Sequence, residues 1–245
     1  MIIFEAVLIG IVIGAVLGTI GAGGAILAVP ELITILNFST IAATTSSLVI
    51  VGAAAISGFI PRIRNGLFNI KLALIFSILG IAGNFFGTYL IDYIPDRIQI
   101  NLFALLMFVS AIAMWRGPVK ENVGKVKTNF VIVILVSSTV GFVTGLLGVG
   151  GGFLILPALV LILKLPIKVA AGTSLLVIAI NALVALLFRY QYWEMIPITK
   201  VFALTISAII TSFLCAPLAQ KIDARMLQKV FSIFIVVIAV FVLVY

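Results

Sequence analysis

Two glycine clusters carry the residues best suited to chemistry in this chain. One reads Gly21-Ala22-Gly23-Gly24 and the other Gly148-Val149-Gly150-Gly151-Gly152. Each opens a short apolar run that contains a proline, Pro30 or Pro157. Glycine lets a chain turn sharply and lets a solute approach the backbone amides. The first N–H groups of the helix that follows have no partner within it. The helix dipole adds roughly half a positive charge at the same place. Gly21, Gly23, Gly24, Gly148, Gly150, Gly151 and Gly152 are therefore candidates for holding an anion through peptide N–H groups. A plain tight turn is the structural alternative.

Hydroxyl runs follow each cluster. They read Thr44-Thr45-Ser46-Ser47 in the first half and Gly172-Thr173-Ser174 in the second. Thr45, Ser46, Ser47, Thr173 and Ser174 can donate to anion oxygens, or can bond back to their own helices. Asn84 and Asn181 place amides inside apolar segments, where each either donates to a solute or bridges helices. Glu31 is the one acid well inside an apolar stretch. An intramembrane acid is a candidate proton relay, with an interfacial position as the other reading. Arg62 and Arg189 occupy matching helix ends. They are candidates for an anion entrance, or else solvated charges that orient the chain.

The elements that position these residues follow from composition. The chain of 245 residues is 64% hydrophobic and 9% charged. Soluble domains average about 25% charged residues, so this chain must present apolar surface to lipid. A bilayer-spanning helix needs about 20 mainly apolar residues, and several charge-free runs here reach that length. A helix satisfies its own backbone in lipid, which predicts an all-α polytopic membrane protein. A shift of 127 residues aligns Gly18–Leu48 with Gly145–Leu175 without a gap, and twelve of those 31 positions are identical. Apolar bias alone does not repeat glycines and a proline in register. Each copy reads as five hydrophobic elements, near 2–20, 23–36, 41–60, 70–92 and 98–116, then 130–147, 150–163, 168–188, 197–220 and 227–245. The expected organisation is repeat 1 over 1–116, a polar linker over 117–128 and repeat 2 over 129–245. The second element of each repeat is too short to cross the bilayer and is predicted to be short or re-entrant. Gly10, Gly14 and Gly18, their counterparts Ser137, Gly141 and Gly145, and the pair Gly83 and Gly87 have the four-residue spacing of close helix packing.

Five crossings per copy force the two copies into opposite orientations. On that threading, twelve of the fifteen Lys and Arg residues fall on the side of the central linker, and only Arg97, Arg189 and Lys200 fall on the other. The positive-inside rule then places the linker in the cytoplasm and both termini outside. The same rule accounts for the net charge of +8 without nucleic acid. The N-terminus is apolar from residue 2, which predicts a mature helix and not a cleaved signal. The chain has no His and a single cysteine, Cys215, so His-based catalysis, a cysteine metal cage and an intrachain disulfide are excluded. No cofactor is expected.

The segments GTIGAGGAILAVPEL and TGLLGVGGGFLILPALV, followed by AATTSSL and AAGTSLL, resemble the sulfite exporter TauE/SafE family. The resemblance covers nearly the whole chain. It implies a plasma-membrane permease for sulfite, a sulfonate or a related organic anion. It falls on Gly21, Gly23, Gly24, Pro30 and Ser47, and on Gly148, Gly150, Gly151, Pro157, Thr173 and Ser174. The first half departs at Thr45, where the second has Gly172. The leading expectation is alternating access between the halves, with a proton or sodium gradient or the membrane potential as the driving force. No P-loop is present for ATP coupling. An anion channel and a non-transporting assembly subunit are the alternatives.

Overall fold

Long apolar runs leave the backbone no partner but itself, and the chain coils accordingly. The computed structural model describes residues 2–91, 94–117, 129–146 and 152–244. Their α-helices are α1 (Ile2–Ile20), α2 (Gly24–Thr34), α3 (Thr40–Arg64), α4 (Ile70–Ile91), α5 (Asp96–Arg116), α6 (Phe130–Leu146), α7 (Gly152–Pro157), α8 (Ile167–Phe188), α9 (Ile198–Lys221) and α10 (Ala224–Val244). A π-helical turn, Ala158–Ile162, continues α7, and a 3-10 segment, Tyr190–Met195, follows α8. No strand occurs among the described residues. Six of the helices, α3, α4, α5, α8, α9 and α10, are long and apolar enough to cross a membrane. Phe85, Phe86, Tyr89, Phe188, Ile198 and Phe202 stand exposed on their outer faces. Apolar surface of that extent belongs against lipid.

The second elements are short, as expected. α2 has 11 residues, about 16 Å at the usual rise, well below the roughly 30 Å of a hydrocarbon core. α7 with its π turn is equally short. Both end in the same way. Asn37 and Lys164, which are 127 residues apart, take the left-handed conformation at φ 55° and 56°. Phe38 N donates to Leu32 O and Leu165 N to Leu159 O, each at 3.0 Å. This is the six-residue reach that closes a helix on a left-handed residue. The repeated sequence thus builds a repeated local backbone.

Small residues set the packing of the rest. A Cβ added at Gly14 or Gly18 of α1 would lie 2.8 Å from Ala208 Cα or Ser212 Cα of α9. On α6, a Cβ at Gly141 or Gly145 would lie 2.6 Å from Gly80 Cα or 2.8 Å from Asn84 Cα of α4. Each pair therefore runs parallel with backbones in contact, which only glycine permits. α3 and α8 run antiparallel: Gly52 faces Ala182, Gly58 faces Leu175 and Arg62 faces Gly172. Ser57 Oγ donates to Ile209 O and Ser212 Oγ to Ala54 O, both at 2.8 Å, joining α3 to α9. α5 and α10 pair at the periphery.

One boundary differs from expectation. α3 does not stop at residue 60 but passes through Pro61 to Arg64. Proline removes a single donor, and a transmembrane helix tolerates that where neighbours enclose the break.

Candidate functional site

The first glycine cluster makes the bend between α1 and α2. Gly21 and Gly23 take φ of 76° and 87°, a region costly for any residue with a Cβ. Gly21 N donates to Leu17 O at 2.9 Å, closing α1. The bend is packed closely where its glycines face α8, α10 and α1. A Cβ at Gly21 would lie 2.7 Å from Ala171 Cβ, and one at Gly23 would lie 2.7 Å from the Phe234 ring of α10. Gly24 abuts Leu17. Ser174 Oγ donates to Gly21 O at 2.5 Å and lies 3.0 Å from Ala171 O. The hydroxyl motif of the second half therefore grips the glycine bend of the first.

In the second bend, Gly148, Gly150 and Gly151 lie outside the described residues, as do linker residues 118–128. Gly152 is described; it is buried and opens α7. α2 packs directly on α7, so the two short helices meet inside the bundle.

Most of the hydroxyls turn back onto backbone. Thr45 Oγ1 donates to Ile41 O and Thr173 Oγ1 to Val169 O, each at 2.8 Å. Ser47 Oγ donates to Thr44 O at 2.8 Å. Thr173 Oγ1 also accepts from Asn69 N at 3.0 Å, fastening the start of α4 to α8. Ser46 differs: it is fully buried and its Oγ has no partner among the described residues. Asn181 Oδ1 is likewise buried without a partner. Asn84 lies on α4 at the α4–α6 crossing, where its Oδ1 accepts from Thr88 Oγ1 at 3.3 Å. Glu31 is half-buried on α2, and its Oε2 is enclosed with no partner among the described residues.

The two arginines part company. Arg62 is not a solvated helix-end charge; it is 2% exposed. Its Nη1 donates to Gly58 O at 2.8 Å, and its Nη2 to Gly18 O at 2.8 Å and Thr19 O at 3.3 Å. The guanidinium thus caps the last carbonyls of α1, beside the glycine bend. Residue type and position alone did not separate that role from a solvated one; recurrence at Arg189 was the only signal. Arg189 is half-buried at the end of α8, and its Nη1 donates to Thr44 Oγ1 at 2.7 Å. Each arginine therefore crosses to the hydroxyl-bearing start of the opposing helix: Arg62 lies against Gly172 on α8, and Arg189 reaches Thr44 on α3.

The chain is similar to known proteins over almost its full length. The family model described as Sulfite exporter TauE/SafE matches residues 6–242. A probable membrane transporter protein of Xylella fastidiosa is 31% identical, over 96% of this chain and 92% of its own length. A probable membrane transporter protein of Methanocaldococcus jannaschii is 26% identical, over 97% of this chain and 94% of its own. Another from Bacillus subtilis is 29% identical, over 70% of this chain and 72% of its own. No solved structure matches the chain. With this match spanning both glycine bends and every helix but the extreme ends, the chain belongs to the sulfite exporter TauE/SafE family of membrane transporters.

Proposed function

We propose that this protein is a secondary transporter that moves a small anion, sulfite or a sulfonate or a related organic anion, by alternating access between two inverted repeats, 1–116 and 129–245. The observation that carries this reading is the pair of short, proline-containing helices, α2 and α7, which meet inside the bundle. Paired interrupted elements in two halves mark the binding site of many transporters. In this reading the anion sits at the N-terminal ends of these helices, held by peptide N–H groups and by the Ser46 hydroxyl, which has no partner among the described residues. Gly21 and Gly23 lie close against Ala171 and Phe234, a tight bend that suits an occluded state better than an open channel. Asn84, Asn181 and the second-half glycines Gly148, Gly150 and Gly151 complete the proposed lining. Glu31 is the candidate for proton coupling. Arg189, the less buried arginine, is the candidate for the entrance.

In this reading the protein lies in the plasma membrane with the linker cytoplasmic and both termini outside. At −100 mV inside, export of one net negative charge is favoured by about 2.3 kcal/mol. Export then needs no coupling ion, although a proton or sodium gradient can add to it. Proteoliposome flux of labelled sulfite, sulfoacetate and acetate tests the proposal. Saturable flux of one of them supports it. Absence of flux for every small anion sinks the transport claim, and unsaturable currents point to a channel instead.

A further inference from the structure

Away from the α2–α7 centre, the α5–α10 pair ends in a pocket of about 210 Å³ lined by Trp115, Arg116, Gly117, Arg225, Gln228 and Lys229. Three cations converge there, and none makes an ion pair with a described residue. Lys229 Nζ is held 5.3 Å from the centre of the Trp115 ring. Asp223, which precedes α10, caps that helix: its Oδ2 accepts from Arg225 N at 3.0 Å and Met226 N at 3.2 Å. The α5 end would otherwise present bare carbonyls to the pocket. Gln228 covers them, its Nε2 donating to Met114 O at 2.5 Å and lying 3.4 Å from Gly117 O. Gln228 is itself 3% exposed, so the pocket floor is fixed by a buried amide.

The surroundings say which anion fits. Close in sequence to the pocket residues, Ile112 and Val109 of α5 and Met226, Val230 and Ile233 of α10 are exposed apolar side chains. Trp115, half exposed at the rim, has the amphipathic character typical of the membrane interface. The opposite end of the same helix pair has only Arg97 as a cation among the described residues. A one-sided basic pocket between lipid-facing helices is built for a phosphate group at the membrane surface.

We propose that this pocket binds the phosphate group of an anionic phospholipid, with the acyl chains lying along α5 and α10. Inorganic phosphate carries the same chemistry, so the experiment separates the two sources. Full-length protein in mild detergent is melted with phosphatidylglycerol, phosphatidylcholine or inorganic phosphate. The variants are Arg116→Gln/Arg225→Gln/Lys229→Gln and a charge-matched control, Arg64→Gln/Lys71→Gln/Lys164→Gln, whose residues are all exposed. The expected result is that phosphatidylglycerol raises the midpoint of the parent and the control by several degrees, and that phosphatidylcholine and phosphate do not. The pocket variant should lose most of that rise while melting cooperatively without lipid. A second measurement, counting lipids retained by native mass spectrometry, should show at least one fewer phosphatidylglycerol on the pocket variant than on the control. Equal responses of the two triple variants would overturn the site. A rise of the same size with inorganic phosphate would overturn the lipid assignment.

Discussion

Gly21 and Gly66 both hold left-handed backbone, at φ 76° and 62°, but only one is pressed against a neighbour. A Cβ at Gly66 would meet nothing within 4 Å, whereas a Cβ at Gly21 would lie 2.7 Å from Ala171 Cβ and 2.8 Å from its Cα. Carbon atoms pack at about 3.5–4.0 Å, so Gly21→Ala must drive the start of α8 back by about 1 Å. Both alanine variants incur the left-handed penalty of about 1–2 kcal/mol. Gly21→Ala adds an overpacking cost of about 1–3 kcal/mol and strains the Ser174–Gly21 hydrogen bond. The added cost comes to at least about 1 kcal/mol, which at this chain length lowers the midpoint by about 2–4 °C below that of Gly66→Ala. The sole cysteine, Cys215, is partly buried on α9, so a thiol-reactive dye reports unfolding in detergent without an added label. Well below both midpoints, anion flux should fall in Gly21→Ala and persist in Gly66→Ala. Equal melting of the two variants would refute the claim that the bend is wedged against α8. Equal flux would refute its place in the transport pathway.

Gly141 and Gly80 face each other across the α4–α6 crossing, but only a Cβ at Gly141 would strike the partner backbone. Gly141→Ala should lower the melting midpoint, and Gly80→Ala should raise it through a helix-propensity gain of up to about 1 kcal/mol; a fall in both would show that the crossing is closer than described. Glu31→Gln keeps the size of the side chain and removes its ability to carry a proton. If Glu31 couples transport, the variant should lose flux driven by a pH gradient and keep substrate exchange at equal pH, and loss of both in a folded protein would make the residue structural instead. For topology, in a Cys215→Ser background, an impermeant maleimide added to whole cells should label Glu194→Cys and spare Arg64→Cys, both positions being exposed; the reverse pattern would invert the proposed orientation.

The helical elements were legible because lipid enforces one solution for the backbone. The shortness of α2 and α7 was legible from the glycine and proline residues that bound and interrupt them. The packing glycines were legible too: Gly14, Gly18, Gly141 and Gly145 abut partner backbones, as their spacing implied. Side-chain partners were not. A hydroxyl on a helix has its own carbonyls three and four residues back, and Thr45, Ser47 and Thr173 use them. Ser174 instead reaches Gly21, 153 residues away, a contact that no local pattern encodes. Arg62 looked like a charge at a helix end, because the sequence does not say that the end is covered by α1 and α8.

The position of Arg62 resolves an electrostatic difficulty in the proposed site of helix ends. An anion at the start of α2 gains from roughly half a positive charge on its N–H groups. The same bend is also the end of α1, whose last carbonyls carry roughly half a negative charge. Only residues 21–23 separate the two helices, so the two fields nearly cancel unless one is neutralised. Arg62 places a full positive charge on Gly18 O and Thr19 O, turning the α1 end from repulsive to neutral or better. Because both Nη atoms already donate to backbone carbonyls, the guanidinium would contribute field to the proposed site without clamping an anion there. The shift of 127 residues matches Arg62 with Arg189, which among the described residues donates to Thr44 Oγ1 at 2.7 Å. Among the described residues, then, the end of α1 is neutralised from α3, while the matching arginine at the end of α8 ties that helix to α3.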